Sequence, residues 1–479
     1  MTTESASRRT ANPPTEGALF REVISPVTGE ALGVIRISSA AEIHRRLREL
    51  SADPSALERR EVLDFLHRLK SQLVAHQKEL LRTTVFETGF VTADSREIVT
   101  SAIEFLDDFE TYAEDQAGSH TVPHSFASKS ERKMLIARRP YRWVAALVPQ
   151  NASLTLAITI IASALYAGSR VLLRPSLQCG CTGQLLAELV EQSEPPASSV
   201  LIVNCLATDF LNVCYTAENV DLIHYIGSNQ YALPVFMESY AARKVCLLDG
   251  QGNGMLYLDH TFPIERAVEL VTSGATRFNG ETCTSVNGVL VEQDIYEEVR
   301  EALVEAFRKL CVREPTAPET EIGPLFSREQ AESLARAVHA GHLRLLCGGS
   351  AEGAYFTPAV VEGVATDDAL VRQGLFGPAL WIRPVREHEL FDWPRANQFP
   401  LSDAILSTRT ELIRRFAFQS RAARICVNED PSVESMFEPW GGYPPSGNNP
   451  VSIWIAKYRQ TFQLDGHPND IILAGTQKN

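Results

Sequence analysis

The sequence contains no apolar run long enough to cross a membrane and no excess of positive charge. Its most apolar segment, LTLAITIIASALYAG at 154–168, is shorter than the roughly 18 residues that a membrane span needs. The formal net charge of the 479 residues is −14, whereas nucleic acids and anionic membranes attract a basic surface. We therefore predict a protein with no nucleic acid and no membrane partner, in which 154–168 forms a buried helix.

Regular cysteine pairing and metal-ligand spacing are also absent from the sequence. The cysteines number nine, which is odd, and lie mostly in apolar segments, as free thiols of a reducing compartment do. Cys179 and Cys181 are close together, but no second Cys or His pair stands at the spacing of a zinc site. The opening residues lack the apolar core of a secretory signal. These features predict a cytoplasmic protein without a metal and with a disordered tail at 1–16.

Short apolar runs instead alternate with helical segments along most of the chain. The first group is WVAALVPQ, RVLLRPS, VLIVNC, DLIHYIGS and KVCLLDG, and the second is GMLYLD, VNGVLVEQD, YFTPAVVEGV, ALWIRPV, DAILST and ARICVNED. Strands separated by helices in this way indicate βαβ units and a parallel sheet. Since 479 residues exceed the size of one hydrophobic core, we predict an α/β fold with two doubly wound domains.

Polar or small residues close four runs of the first group. Parallel α/β sheets bind ligands beyond the carboxyl ends of their strands, so we expect these residues to share one edge and line a ligand site. They are Asn151, then Arg174 with Ser176, then Gly227 with Ser228, and finally Asp249 with Gly250.

The string DGQGNG at 249–254 contains the glycines of a dinucleotide-binding fingerprint. The helix that follows a Gly-rich phosphate loop is missing, however, because MLYLD comes next and is typical of a strand. We interpret the string as a tight crossing between the domains, so that any dinucleotide must be bound without a GxGxxG loop.

Taken in order, these motifs resemble the aldehyde dehydrogenase family. The resemblance is carried by VPQN, RPS, YIGS, LLDGQGNG, Cys283 in FNGETC, and the later segments EIGPLFSREQ, LFGPAL and EPWGGYPPSGN. It extends from about Val23 to about Leu464. It implies a Rossmann-like coenzyme domain at 17–119 and 140–250 and a catalytic domain at 251–446. A small β oligomerisation arm would comprise 120–139 and 447–479, and the assembly would be a homodimer or homotetramer.

The resemblance also implies roles for individual residues. Cys283 matches the nucleophile, Asn151 the oxyanion donor, and Asp249 the general base, which the family usually supplies as glutamate. Oxidation of an aldehyde with NAD or NADP would proceed through a thiohemiacetal and then a thioester on Cys283, which water releases as a carboxylic acid. Coenzyme contacts are implied for Pro149, Arg174, Ser176, Leu177, Gly227, Ser228, Gly250 and Phe376.

Structural roles are the alternative for the same residues. Cys283 could pack in the core, as most cysteines near strands do. Asn151 and Ser228 could cap the helices that follow them. Asp249 could be a turn residue before Gly250.

Several positions depart from the family pattern. Asp249 is one methylene shorter than the usual glutamate, and Gly374 stands where the family places a glutamate that binds the nicotinamide ribose. Gln150 and Ala152 replace the usual aromatic neighbours of Asn151. Two alternatives therefore stay open: an enzyme that transfers the acyl group to CoA or a carrier thiol, and a fold relative that acts as a binding or structural subunit.

The sequence RPSL at 174–177 bears on coenzyme choice. NAD-specific members of the family often have a glutamate at the position of Leu177, where its charge repels the 2′-phosphate of NADP. Here that charge is absent, and Arg174 is a permanently charged planar donor that suits a phosphate. We therefore expect NADP to be accepted at least as well as NAD.

Overall fold

The computed structural model describes most of the chain, namely residues 19–51, 56–114, 121–122 and 133–466. The tail predicted for 1–16 lies outside the described residues, as do parts of both segments of the predicted arm. No helix in the described part is both long and apolar enough to cross a membrane.

The first half of the chain contains nine strands and nine helices among its described residues. The strands are β1 (Leu19–Ile24), β2 (Ala31–Ile37), β3 (Thr121–Val122), β4 (Lys133–Pro140), β5 (Trp143–Leu147), β6 (Arg170–Arg174), β7 (Val200–Ile202), β8 (Val220–Ile226) and β9 (Val245–Asp249). The helices are α1 (Ala40–Ser51), α2 (Arg59–Ala75), α3 (Gln77–Thr88), α4 (Thr92–Asp107), α5 (Phe109–Glu114), α6 (Ser153–Tyr166), α7 (Gly180–Gln192), α8 (Ala207–Thr216) and α9 (Asn229–Ala241).

The second half continues the alternation. Its strands are β10 (Gly254–Leu258), β11 (Val286–Glu292), β12 (Arg344–Cys347), β13 (Ala351–Glu352), β14 (Tyr355–Phe356), β15 (Ala359–Glu362), β16 (Ala379–Val385), β17 (Ser402–Leu406), β18 (Arg424–Val427), β19 (Trp440–Gly442), β20 (Asn449–Ser452) and β21 (Arg459–Gly466). Its helices are α10 (Ile264–Thr276), α11 (Tyr296–Lys309), α12 (Arg328–Val338), α13 (Ala369–Gln373), α14 (Asp392–Ala396), α15 (Thr410–Gln419) and α16 (Trp454–Lys457).

Strands β5 to β9 form a parallel sheet in the order β7-β6-β5-β8-β9. Both faces are covered, because α2, α4, α6 and α7 pack on one side and α1, α8 and α9 on the other. The alternation of side chains along β5 explains this: Val144 and Ala146 face the first layer. Trp143, Ala145 and Leu147 face the second layer. The carboxyl ends of these strands share one edge, as predicted.

Helix α6 is the buried helix expected from the apolar segment at 154–168. Most of its side chains are buried, on every side of the helix, because it lies between the sheet and helices α2, α4 and α7.

A second sheet has the order β12-β15-β16-β11-β10-β17-β18 and is parallel except for the antiparallel strand β12. Two apolar layers enclose it, one on each face. The prediction of two doubly wound α/β sheets is therefore confirmed. The string DGQGNG connects β9 of the first sheet to β10 of the second, and no helix follows it.

A third sheet, with strand order β21-β4-β3, is antiparallel and separate from the other two. Strand β4 pairs with β21 from Lys133 opposite Gly466 to Pro140 opposite Arg459. The pairing brings together the two segments that the resemblance assigns to an arm. Their role in oligomerisation stays a prediction.

The amino end of α7, which follows the coenzyme motif RPSL, is held by a buried carboxylate. Glu87 of α3 accepts hydrogen bonds from the backbone N–H groups of Cys181 (2.7 Å) and Thr182 (3.2 Å) and from the Thr182 hydroxyl. Negative charge is favourable at a helix amino terminus, but burial raises the pKa of Glu87 to about 7.

We predict that Glu87→Ala lowers the free energy of unfolding by about 2–3 kcal/mol, because it leaves buried donors at the start of α7 without an acceptor. Urea denaturation measures the change. Glu79 is an exposed residue of the same helix, and Glu79→Ala is the control, with an expected change within about 0.5 kcal/mol. Equal losses in the two variants would show that Glu87 does not anchor α7.

Candidate active site

Cys283 lies in a short turn between the 3-10 turn Arg277–Gly280 and strand β11. The backbone before it is constrained, since Phe278 (φ 52°) and Asn279 (φ 55°) are both left-handed. Hydrogen bonds from distant segments hold these residues: Asp94 accepts from the Phe278 N–H at 2.7 Å, and Asn279 Oδ1 accepts from the Gly323 N–H at 2.9 Å. The position of Cys283 is thus fixed by long-range contacts.

The glycine crossing lies directly against this turn. A Cβ atom added to Gly252 would stand 1.9 Å from the carbonyl oxygen of Cys283, so only glycine fits there. The crossing begins at Asp249, which ends β9 at the sheet edge predicted to bind a ligand. Gly252 therefore places the edge of the coenzyme sheet next to the cysteine.

Cys283 as a residue is partly exposed, which argues against the alternative of a core cysteine. Burial raises the pKa of Cys283 well above its usual value, and the negative charges of Glu434 and Asp249 raise it further. Arg424 acts in the opposite direction but more weakly. Burial and these charges therefore favour the protonated thiol over the thiolate.

Asn151 follows β5 and does not cap α6. The N-cap of α6 is Ala152, without a side-chain hydrogen bond. Within the described part of the chain the Asn151 amide has no hydrogen-bond partner, and the residue is partly exposed. Its N–H groups thus remain available to a bound oxyanion.

Asp249 is buried, with 5% exposure, and is not a simple turn residue. His224 Nε2 lies 2.7 Å from one of its carboxylate oxygens, and Asn449 Nδ2 lies 3.1 Å from each of them. Lys457 Nζ donates to Asn449 Oδ1 at 3.0 Å, and the Tyr458 hydroxyl is 3.0 Å from His224 Nδ1. We call these five residues the Asp249 network. The prediction that Asp249 is the general base stays a prediction.

The sequence argument missed the other members of this network. His224 was visible as a polar residue inside the apolar run DLIHYI, where a buried partner is required. Asn449 and Lys457 gave no such signal, because they follow a proline-rich segment about 200 residues away and reach Asp249 only through the tertiary fold.

The predicted coenzyme residues lie along the same edge. Arg174 donates through Nε to the carbonyl of Cys205 at 3.1 Å; burial lowers its pKa, and the nearby charge of Arg21 lowers it further. Leu177 is buried against Val23 and Ile35 of the β1–β2 hairpin. Arg174 and Arg21 thus bring two positive charges to the RPSL segment.

Ser176 and Ser228 both cap helical segments. The Ser176 hydroxyl accepts from the N–H of Gln178 at 3.4 Å, and that of Ser228 accepts from Gln230 at 3.2 Å at the start of α9. The capping alternative for Ser228 is therefore confirmed.

The glycines of the edge are occupied by backbone hydrogen bonds. The Gly227 N–H donates to the Asp249 carbonyl at 3.0 Å, and the Gly250 N–H donates to the Ser446 carbonyl at 2.7 Å. The N–H groups of Gly227 and Gly250 are therefore already used within the protein and are not available to a coenzyme. Pro149 lies in the loop between β5 and Asn151, and Phe376 packs against the large apolar cluster around α6.

Gly374 cannot be replaced by the glutamate that the family uses at this position. Its φ is +79°, and an added Cβ would stand 2.7 Å from Asn287 Oδ1 and 2.8 Å from the Asn253 amide. The backbone conformation and close packing at Gly374 therefore exclude a glutamate side chain. A bound nicotinamide ribose would need other hydrogen-bond partners. The residues present fit the adenosine and phosphate half of NAD or NADP better than the nicotinamide half.

Two further carboxylates near Cys283 gave no sequence signal. Glu281 is buried, and its Oε1 accepts from the Phe326 N–H at 3.3 Å. Glu434 lies in the segment between β18 and β19 with Arg424 Nη1 3.7 Å away.

Comparison with known proteins agrees with this geometry. Residues 15–462 match the profile of the Aldehyde dehydrogenase family. The chain belongs to this family. A 3-sulfolactaldehyde dehydrogenase of Priestia aryabhattai is 25% identical over 439 residues, which cover 89% of this chain and 90% of the relative. Family membership confirms the predicted aldehyde dehydrogenase that uses NAD or NADP.

Solved structures of the family have the same fold. Aldehyde dehydrogenase 21 of Physcomitrella patens, in complex with its product succinate, superposes with a TM-score of 0.87 at 20% identity and covers 96% of this chain and 98% of its own. The glyceraldehyde-3-phosphate dehydrogenase GapN of Methanocaldococcus jannaschii, complexed with NADP, gives a TM-score of 0.83 at 21% identity, with coverage of 93% and 98%. The predicted α/β architecture is thus confirmed over nearly the whole chain.

The Asp249 network predicts a strong coupling between Asp249 and Lys457. Burial lowers the pKa of Lys457 to about 8, and the charge of Asp249 opposes that shift. Asp249→Asn should therefore destabilise the fold by about 3 kcal/mol, because it leaves a buried ammonium without its counter-charge. The double variant Asp249→Asn with Lys457→Met should lose less than the sum of the single losses, by about 1 kcal/mol or more. Additive losses in urea denaturation would show that the two charges are independent.

Proposed function

We propose that Cys283 is the nucleophile and Asn151 the oxyanion donor of the aldehyde oxidation. The observation that carries the proposal is the contact of Gly252 with the Cys283 carbonyl, which joins the cysteine turn to the edge of the coenzyme sheet. The sulfur adds to the aldehyde carbon, and the resulting oxyanion accepts hydrogen bonds from the unpaired Asn151 amide. When bound, NAD or NADP accepts the hydride that leaves this carbon. Cys283 then carries a thioester.

Hydrolysis of that thioester is favoured over transfer to CoA or a carrier thiol. Two carboxylates, Asp249 and Glu434, act on the charge of Cys283, and carboxylates near a thioester are suited to activate water. The same negative charges would repel an incoming thiolate. The third possibility, a non-catalytic relative, rests on Gly374 and Arg174. The presence of Asn151 and of a partly exposed Cys283 opposes it.

NADP is proposed to be accepted at least as well as NAD. Arg174 and Arg21 are close enough for the charge of one to lower the pKa of the other, and such a pair suits a doubly charged phosphate. Leu177 places no carboxylate at position 177 that would repel the 2′-phosphate of NADP. The Leu177 side chain is buried, so a charged acidic side chain would not be accommodated at this position.

A cytoplasmic homo-oligomer, dimeric or tetrameric, is the assembly we propose. None of the nine cysteines is paired, as expected in a reducing compartment. The three-stranded sheet of β3, β4 and β21 stands apart from both α/β sheets, which suits an arm that reaches a second subunit.

We predict that Cys283→Ala abolishes aldehyde oxidation and leaves coenzyme binding unchanged, because only the sulfur forms the covalent adduct. Absorbance of the reduced coenzyme across aliphatic, aromatic and acidic aldehydes measures the first effect, and calorimetric titration the second. Cys311 is another partly exposed cysteine, and Cys311→Ala should retain full activity. Substantial turnover in Cys283→Ala would rule out the covalent mechanism.

A separate prediction concerns the coenzyme phosphate. Arg174→Ala should weaken NADP binding more than NAD binding, by roughly 1.5–3 kcal/mol, because a charged hydrogen bond is lost. Calorimetric titration of both coenzymes measures the difference. Arg36→Ala, at an exposed residue of β2 paired with Glu42, should change neither affinity. A clear preference of the parent for NAD, or equal losses in Arg174→Ala, would contradict the prediction.

A further inference from the structure

The β19–β20 hairpin, residues 440–452, lies against the free edge of strand β9. Because β9 is the last strand of the first sheet, its outer backbone groups need partners from another segment. The Leu248 N–H donates to Asn448 Oδ1 at 2.7 Å, and the Asn448 N–H donates to the Leu248 carbonyl at 3.2 Å. The Gly250 N–H donates to the Ser446 carbonyl at 2.7 Å. The hairpin therefore covers the sheet edge where the glycine crossing begins.

One side chain, Leu401, separates this hairpin from the crossing beneath Cys283. A Cβ atom added to Gly442 of the hairpin would stand 3.2 Å from Leu401 Cδ1, and one added to Gly252 would stand 3.0 Å from Leu401 Cβ. The same added atom on Gly252 would stand 1.9 Å from the Cys283 carbonyl oxygen. A shift of the hairpin would thus be transmitted to the cysteine turn, where a misplacement of about 1 Å can cost about 100-fold in rate.

Lys457 binds both strands of the hairpin. Its Nζ donates to the Trp440 carbonyl of β19 at 2.6 Å and to Asn449 Oδ1 of β20 at 3.0 Å. The residue is only 6% exposed, and a buried ammonium group is costly unless negative charge lies nearby. Asp249 supplies that charge, since Asn449 Nδ2 lies 3.1 Å from each of its oxygens.

The next residue, Tyr458, is joined to the same carboxylate by a second route. Its hydroxyl is 3.0 Å from His224 Nδ1, and His224 Nε2 is 2.7 Å from Asp249 Oδ2. Because a carboxylate only accepts, Nε2 carries the proton and Nδ1 accepts from the hydroxyl. The Asn449 amide is oriented in the same sense, since its Oδ1 accepts from Lys457. Both contacts of Asp249 within the network are therefore donors.

We propose that Asp249 is a positioning residue, which acts on the reaction at Cys283 as the fixed counter-charge of Lys457. Paired with the ammonium, it holds the hairpin against the crossing and thereby keeps the cysteine turn in place. In this role the carboxylate takes no proton from water, unlike the general base that the family resemblance implies. The inference rests on the proposed role of Cys283 as the nucleophile.

A neutral pair at positions 249 and 457 separates the two roles of the carboxylate. Asp249→Asn leaves a buried ammonium without its counter-charge, whereas Asp249→Asn with Lys457→Met leaves no charge to compensate. The second substitution therefore restores a positioning role. It does not restore a general base, because neither new side chain can take a proton from water.

The activated ester p-nitrophenyl acetate measures both half-reactions, since it acylates a thiol without a coenzyme. Released nitrophenolate reports acylation as a burst and hydrolysis as the steady state. In Asp249→Asn both rate constants should fall by about 30-fold or more, because a displaced turn slows every step at the sulfur. In the double variant both should rise at least about tenfold above Asp249→Asn, with a steady state within about tenfold of the parent.

Loss of a general base gives a different pattern. The burst would then be kept, and the steady state would be slower than in the parent by about 100-fold or more in both variants. That pattern would overturn the proposal, as would parental rate constants in Asp249→Asn. If Asp249→Asn does not fold, the steady state of the double variant decides alone between the two roles.

The matched control combines Asp249→Asn with Lys309→Met. Lys309 is an exposed lysine whose Nζ lies 3.2 Å from Glu305, so the control should stay at the level of Asp249→Asn. A recovery as large as that with Lys457→Met would contradict the proposal. The burst amplitude counts competent sites, so slower rate constants at full amplitude indicate a misplaced turn. A reduced amplitude at parental rate constants would indicate partial unfolding only and would also contradict it.

Cys283→Ala distinguishes failure of this inference from failure of the proposed function. If that variant retains the burst, the proposed nucleophile is wrong. If it lacks the burst and the double variant shows no recovery over Asp249→Asn, Cys283 stands and Asp249 does not act through Lys457. Thermal unfolding monitored by circular dichroism verifies that each variant is folded.

Discussion

The buried carboxylate of Asp249 is the interaction on which the arrangement of the active site depends. It ends strand β9 of the first parallel sheet, and through Asn449 and Lys457 it is joined to the segment that follows the second sheet. The glycine crossing starts at the same residue and reaches Cys283 within four residues, at Gly252 and its neighbours. A charge pair in a low-dielectric interior is costly to separate. The end of the first sheet is thereby held against the turn that contains Cys283.

Negative charge lies close to Cys283. Burial raises the pKa of its thiol, and the charges of Glu434 and Asp249 raise it further. The surroundings of Cys283 therefore favour a sulfur that is uncharged over a thiolate.

Departures from the family pattern have a structural basis in two places. Gly374 has a left-handed backbone against Asn287 and Asn253, which leaves no room for a side chain. Leu177 belongs to a small apolar cluster with Val23 and Ile35 and not to a polar coenzyme contact. Both departures are thus fixed by local packing.

The sequence by itself determined the alternation of strands and helices, the two α/β sheets and the common edge of the coenzyme strands. Short, continuous apolar runs such as those of β5 to β9 are typical of strands in a parallel sheet that is buried on both faces. It also indicated Cys283 and Asn151, because local motifs surround both residues. The partners of Asp249 and the position of Glu434 were decided only by the tertiary structure. Asn449, Lys457 and Glu434 lie in loops and short elements without periodicity, and contacts between segments 150–200 residues apart leave no local pattern in the sequence. The left-handed backbone of Gly374 was likewise decided only by the tertiary structure, because Asn287 and Asn253 pack closely against this residue.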